Sequence, residues 1–384
     1  MGMEFLKRMA VSLEKKQDTI FRYPVEKQKK YVAHFPEPKD GIERGYFQYC
    51  CQMKLQGVLV HGLMNLAALP LSLFYWMKLR GEGEEKERQA DAVFFDDGKP
   101  FNIIPDELLA KYGEILSLSS DHRQLRREDK AFLKGIFKRY PFSWMFWLKN
   151  IIKVGQYSCA ITSYAPESVI SCAEYSYTAP VLTEYCHTRG VKLINVMHGE
   201  KLYDMHDAFS KFDEFYVWGK EYVDLLCALR GDREQFRIAT PRSMIIDRPE
   251  DVKVEYDYTY YLAAENGEVL KKISNALRVL NDNGKRISIR PHPRYTDEKI
   301  VKELFAFANI EDFRTVTIER SLMQTGAAVS LFSTVLNQAI SNSVPIVIDD
   351  ISNPMHFEKL KELEYICLHR EHELLSKIIG SYEG

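Results

Sequence analysis

The sequence predicts an α/β chain with two parallel sheets, each wrapped by helices and facing one another across a cleft, behind a helical N-terminal extension. Three observations predict it. Short apolar runs alternate with amphipathic stretches twice over; a segment rich in proline and charge separates the two series; and 384 residues, 46% apolar and 28% charged, suffice for two domains with real cores. The first series is Ala92–Phe95, Ile115–Leu118, Ser158–Thr162, Lys192–Met197 and Phe215–Trp218, each bounded by turn or polar signals. The second is Thr259–Ala263, Arg286–Arg290, Thr315–Ile318, Ala327–Leu331, Pro345–Ile348 and Tyr365–Leu368, with helical patterns at Glu268–Leu280, Asp297–Ala308, Thr334–Ser341 and Glu371–Ile379. Residues 241–256 hold Pro241, Pro249 and many charges without an apolar period, and read as a linker. The expected division is a mostly helical extension (1–88), a Rossmann-like domain (89–240), the linker, and a second Rossmann-like domain (257–384).

Charge and cysteine content narrow the function classes. Lys plus Arg number 52 against 54 Asp plus Glu, a net charge of −2, so no global field favours a nucleic-acid partner. Seven cysteines at scattered positions form no C-x-x-C pair, which points to a reducing compartment, and Met1–Lys16 carries charges with no apolar stretch of signal-peptide length. A cytoplasmic protein is expected.

Leu55–Met77 is free of formal charge and long enough to cross a membrane. Gln56, His61, Asn65, Ser72 and Pro70 lie within it, however, and favour a core or interfacial helix broken near Pro70. Gly81–Arg88 reads as a charged joint. Phe132–Lys153 interleaves five cations with seven aromatic residues and contains no acid, a composition suited to an anionic membrane surface. Residues 1–150 carry a net charge of +5 and the remainder −7, which fits an acceptor side facing lipid-linked glycan.

Three segments carry candidate chemistry. Arg290-Pro291-His292-Pro293-Arg294 follows a strand directly, at the end where ligands bind in such sheets; two prolines fix the backbone while an imidazole and two guanidiniums suit an anion. Ser333 and Thr334 stand where the next strand but one runs into a helix, and hydroxyls with free N–H groups at a helix start suit phosphate oxygens, although a plain N-cap has the same appearance. His198-Gly199-Glu200, with Asp204 and Asp207 beyond, follows the strand Lys192–Met197. The glycine lets a loop pass close to a ligand, and His198, Glu200, Asp204 and Asp207 are each candidates for a general base. Asp97, in Asp96-Asp97-Gly98 at the end of the first strand, is a further candidate, against a simple Asp-Gly turn. His198, Asp204 and His206 match no strong metal-ligand spacing. Neither G-x-G-x-x-G nor G-x-x-x-x-G-K-[ST] occurs.

Together, His198-Gly199 after a mid-domain strand, the stretch Asp213–Gly219, and Arg-Pro-His-Pro followed some 40 residues later by Ser-Thr resemble bacterial GT-B glycosyltransferases of capsule and wall-polymer synthesis, over about residues 90–350. His292, Pro293, Ser333 and Thr334 match the motifs with which capsule Kdo transferases and bacterial sialyl- and polysialyltransferases bind the phosphate of a CMP-sugar. His198 and Gly199 match the His-Gly motif of the CDP-glycerol glycerophosphotransferases, whose Arg-x-His motif meets the donor, but Glu200-Lys201-Leu202 replaces their usual continuation. Asp96-Asp97-Gly98 has the composition of the acidic-acidic-Gly motif that carries the base in sialyltransferases.

The resemblance implies a metal-independent, inverting transferase that takes a nucleotide-sugar, a CMP-sugar for preference, to a glycan or lipid-linked hydroxyl and needs no cofactor. Its rivals are a CDP-alcohol phosphotransferase, a nucleotide-sugar epimerase and a non-catalytic polysaccharide-assembly protein.

Overall fold

The computed structural model describes residues 23–79, 88–118, 122–247 and 252–383. Met1–Lys16 and, apart from Arg88, the joint at 81–88 lie outside these residues. Two compact units are formed, one of Met1–His198 with Tyr203–Pro241, the other of Gly199–Leu202 with Arg242–Gly384. Each is built on a six-stranded, wholly parallel sheet flanked by helices, the Rossmann-like architecture expected.

In the first unit the strands are β1 (Ala92–Phe95), β2 (Ile115–Leu118), β3 (Ser168–Ser171), β4 (Lys192–Val196), β5 (Glu214–Val217) and β6 (Phe236–Ile238), in spatial order β2-β1-β3-β4-β5-β6. Chain order reverses between β1 and β3, which makes that pair's carboxyl ends the expected ligand crevice. β1 and β3 are buried at every residue, and Phe94, Ile170, Ile194 and Val196 meet in one core cluster, as strands covered on both faces require.

Around this sheet lie α1 (Val25–Ala33), α2 (Gly41–Gln56), α3 (Val58–Lys78), the single turn α4 (Asp106–Leu109), α5 (Arg127–Arg139), α6 (Trp144–Tyr164), α7 (Ala179–Thr188) and α8 (Lys220–Ala228). Asp129, fully buried on α5, accepts from Arg126 N, Ser158 Oγ, Tyr185 Oη and Arg189 Nη1, and so ties α5, α6 and α7 together.

The second unit orders its strands β12-β11-β10-β7-β8-β9: β7 (Tyr256–Tyr261), β8 (Ile287–Arg290), β9 (Asn309–Ile310), β10 (Thr325–Ser330), β11 (Ile346–Ile348) and β12 (Glu373–Leu374). Chain order reverses between β7 and β10. α9 (Gly267–Asp282) starts at Asn266, whose side chain accepts from Glu268 N and Val269 N, and turns Leu270, Ile273, Leu277 and Leu280 onto Ile289 and Val329 of the sheet. α10 (Glu298–Leu304), α11 (Ile318–Met323), α12 (Thr334–Ser341), α13 (Pro354–Glu362) and α14 (Leu375–Glu383) complete it.

Four expectations are corrected. Ser158–Thr162 is no strand but part of α6, whose buried residues Ile151, Val154, Ser158 and Ile161 recur at helical spacing; the strand follows at Ser168–Ser171. Thr315–Ile318 alternates like a strand, yet Thr315 and Val316 donate their N–H groups to Asp312 O and Thr317 caps α11. Tyr365–Leu368 forms a buried 3₁₀ turn, Ile366–His369, and the edge strand lies later, at Glu373–Leu374, so the helix anticipated from Glu371 starts at Leu375.

The fourth correction concerns Leu55–Met77. The break falls at Gly57, which ends α2 with φ +89°, and α3 runs unbroken through Pro70, because the carbonyl that proline leaves unpaired, on Leu66, lies on the exposed side. Nor is the segment a core helix, since its large apolar side chains are mostly exposed.

Candidate functional site

In the first unit the loops after β1, β3 and β4 share the carboxyl edge of the sheet. After β1 the chain turns at once: Asp97 (φ +43°) and Gly98 (φ +79°) are both left-handed, and Lys99 N donates to Asp96 O at 2.7 Å, a type I′ arrangement. Asp96 is held within this turn by Gly98 N and Ser117 Oγ, and Asp97 projects into solvent. The turn reading accounts for Asp-Asp-Gly.

β4 ends at Val196 and delivers His198 two residues later. Its Nδ1 lies 3.1 Å from Oε1 of Glu174, which stands just beyond β3; the His198 side chain is 16% exposed and that of Glu174 not at all. Asn195 Nδ2 donates to the other carboxylate oxygen at 3.1 Å, while Asn195 Oδ1 accepts from Ala173 N at 2.7 Å. The buried carboxylate thus lies between an amide and an imidazole, whose Nδ1 faces it. Such a pairing orients the imidazole. Tyr175 stands beside His198, its ring centroid 5.9 Å from the imidazole and 6.2 Å from that of His206.

Asp204 and Asp207 have a different place. Asp204 Oδ1 accepts from His206 N at 2.9 Å and caps the 3₁₀ turn Met205–Asp207, which Gln48 and Gln52 pin to α2 through His206 O. Both aspartates are buried, and Asp207 Oδ1 lies 3.8 Å from His206 Nδ1. Among the described residues, no three His, Cys, Asp or Glu side chains converge as metal ligands would.

In the second unit the loops after β8, β7, β10 and β11, four neighbouring strands, share one carboxyl edge. Arg290 is buried, its guanidinium donating to Glu311 Oε2 (2.8 Å) and Val316 O (2.9 Å), with Ser321 Oγ on the other oxygen of Glu311. It anchors the turn from beneath, which leaves Arg294 as the exposed guanidinium.

His292 is held on three sides. Its N–H donates to Thr296 Oγ1 at 2.8 Å, its ring stacks on Tyr295 at 4.6 Å, and its Nδ1 accepts from Arg294 N at 3.1 Å. An Nδ1 that accepts carries no proton, so the neutral ring bears its hydrogen on Nε2. Burial, with Arg294 nearby, lowers the pKa of this imidazole, so at neutral pH it presents an uncharged N–H donor.

Ser333 is the N-cap of α12, its Oγ accepting from Val335 N at 3.2 Å, and Thr334 is exposed as the first helical residue. Glu200 is grouped with this unit: it accepts from Lys201 N and from the side-chain amide of Asn337 on α12. Gly199, beside it, has open space where a Cβ would stand.

Glu265, after β7, was not anticipated from the sequence. Burial raises its pKa from 4.5 to about 7, against the hydrogen bond from Ala263 N at 2.7 Å and with help from Asp349 after β11. Asp349 is itself fully buried and bonded by Tyr260 Oη, Ile351 N and Ser352 N. A carboxyl whose pKa is higher in the fold than in the unfolded chain binds its proton more tightly when folded, so stability is greatest below about pH 4.5 and falls as pH rises through about 7. Glu265→Gln removes that penalty. Thermal melts should show the variant gaining on the parent between pH 5 and 8, and parallel curves would show that the carboxyl is not perturbed.

In the first unit Glu174 and Tyr175 stand beside His198, with Asn195 on the Glu174 carboxylate, and in the second Glu265 lies after β7; sequence reading names none of the four as a candidate. Glu174 was hidden because β3 had been placed ten residues too early. Glu265 had a visible signal, a carboxylate just past a strand in Ala263-Ala264-Glu265-Asn266.

No family model matches the sequence, and no curated protein matches it. Among solved structures the chain is similar to UDP-GlcNAc 2-epimerase from Neisseria meningitidis bound to UDP-GlcNAc, at 12% identity over 76% of this chain and 90% of that one, with a TM-score of 0.43. It is similar also to the wall teichoic acid polymerase TagF (11% identity, 85% and 90% covered, TM-score 0.44) and to S. aureus MnaA with UDP (12%, 68% and 78%, 0.42).

Proposed function

We propose that this chain is a glycosyltransferase of the GT-B type, moving a sugar from a nucleotide-activated donor, a CMP-sugar for preference, to a hydroxyl of a glycan or lipid-linked acceptor. The observation that carries the proposal is the close approach of the His198 imidazole to the buried Glu174 carboxylate at the carboxyl edge of the first sheet. His198 takes the acceptor's hydroxyl proton as that oxygen forms a bond to the anomeric carbon. The bond from that carbon to the donor phosphate breaks, and its electron pair leaves with the nucleotide.

Negative charge grows on the departing phosphate. The Nε2–H of His292, the Arg294 guanidinium, and the hydroxyl and N–H groups around Ser333 and Thr334 are the groups offered to it, and they act most strongly where charge is greatest, in the transition state. Glu174 does not touch substrate in this scheme; it is a positioning residue.

The test starts with thermal stabilisation across CMP, CDP, UDP, GDP and ADP, in which the bound nucleotide raises the melting temperature and the others do not. His292→Ala should weaken that nucleotide's affinity by about 1.5–3 kcal/mol in calorimetry, the scale of a hydrogen bond to a charged group. Unchanged affinity would remove His292 from the site. The His198-Gly199 pair also favours a second reading, attack of the acceptor at the phosphorus of a CDP-alcohol with CMP leaving. Phosphorus NMR of the product separates the two, since a new phosphodiester excludes sugar transfer, and no turnover with any donor supports an assembly role.

A further inference from the structure

We propose that α3 seats the first unit on an anionic phospholipid bilayer, lying in the plane of the headgroup boundary rather than crossing the membrane. One stripe of the helix is committed to the protein. His61 meets Tyr49 Oη at 3.0 Å, Asn65 bonds Phe142 O and Met145 N, Ala68 is buried, and Ser72 Oγ donates to Trp144 O. The rest of the surface is apolar and bare: Leu59 is 84% exposed, Leu63 71%, Leu66 62% and Met77 61%, and Phe142, held beside the helix by Asn65, is 79% exposed. A contiguous apolar face of this kind marks an interaction surface.

Length would let α3 span, at 21 residues and about 30 Å. Crossing would strip His61, Asn65 and Ser72 of their partners and leave them in hydrocarbon. Lying flat keeps every one of those bonds and still buries the bare side.

Charge selects lipid over protein as the occupant. The helix has no charged residue between Lys54 and Lys78, and the stretch Phe132–Lys153 beside it contains no acid. Cations frame the face. Lys78 Nζ lies 5.3 Å from the centre of the Phe74 ring and Lys130 Nζ 5.6 Å from that of Trp76, and Lys134 and Lys138 follow Lys130 at one-turn intervals on α5, both exposed. Trp76 and Trp147 pack 5.5 Å apart within this border. An apolar face rimmed by lysine and tryptophan is the pattern of a helix that rests at an anionic interface.

The test is flotation of the full chain with vesicles of phosphatidylcholine alone and of phosphatidylcholine mixed with phosphatidylglycerol. The chain should float with the mixed vesicles and be partly released by salt. Lys134→Gln with Lys138→Gln should weaken binding on the order of thirtyfold, about one kcal/mol for each cation removed. Leu63→Glu with Leu66→Glu should abolish flotation without lowering the melting temperature, both side chains being exposed. A chain that floats with neither vesicle overturns the proposal, as does a dimer that the leucine variant dissolves without any vesicle binding, which would assign the face to a second copy. Because the readout is binding alone, its failure leaves the transfer reading intact.

Discussion

His198→Gln is expected to lower turnover by about 10²–10⁴-fold, the range that a positioned general base contributes. Glutamine retains a hydrogen-bonding group against the buried carboxylate of Glu174 but cannot accept the proton. Alanine is the less informative change, since it removes the imidazole from beside a buried carboxylate, and taking a partner from a buried charge destabilises the fold. The measurement is kcat with the donor identified by thermal shift, alongside its Kd. The expected pattern is a loss in kcat with nucleotide affinity retained, because His198 is grouped with the first unit and the residues proposed to meet the phosphate with the second. Full activity in the glutamine variant would remove the imidazole from the reaction.

The second large effect is expected at Glu174. Glu174→Gln should lower kcat by roughly 10- to 10³-fold with little change in KM, less than the loss of the base itself, as for an acid that orients a catalytic imidazole. Two physical changes combine. An anion 3.1 Å from Nδ1 disappears, and a neutral amide presents an N–H₂ group to either Asn195 or the imidazole. Glu174→Asp keeps the charge but shortens the reach, and should recover part of the rate. A role confined to packing predicts the reverse, with glutamine, the closer isostere, performing better than aspartate. KM rising while kcat holds would mark Glu174 as a binding residue instead.

How much of this was legible beforehand depends on what surrounds each residue. Eight of the twelve strands announce themselves as short apolar runs, most plainly where a parallel strand is covered on both faces, as in Ala92–Phe95 and Ile346–Ile348. β3 escapes because only Val169 and Ile170 stand between two serines, Ser168 and Ser171, that are buried through hydrogen bonds rather than by apolarity. The strand proposed at Ser158–Thr162 fails for the opposite reason, an apolar run that belongs to one face of a 21-residue helix. At the sites, His198 and His292 could be found because each lies directly after a recognisable strand. The inward turn of Arg290 could not, since its partner Glu311 lies 21 residues on and is met only through the pairing of β8 with β9. That Asp204 caps a 3₁₀ turn and that Asp204 and Asp207 are both buried is not legible in the sequence, where they stand level with His198 as candidate bases.

β9 and β12 have two residues each and β6 has three, so three of the four outer strands offer a visiting chain almost no unpaired backbone to line up against. Continuation of either sheet from one molecule into the next, the route by which open parallel sheets polymerise into fibres, is thus blunted by geometry alone. The protection comes from strand length, before the exposed Arg237 of β6 or Glu373 of β12 adds its charge.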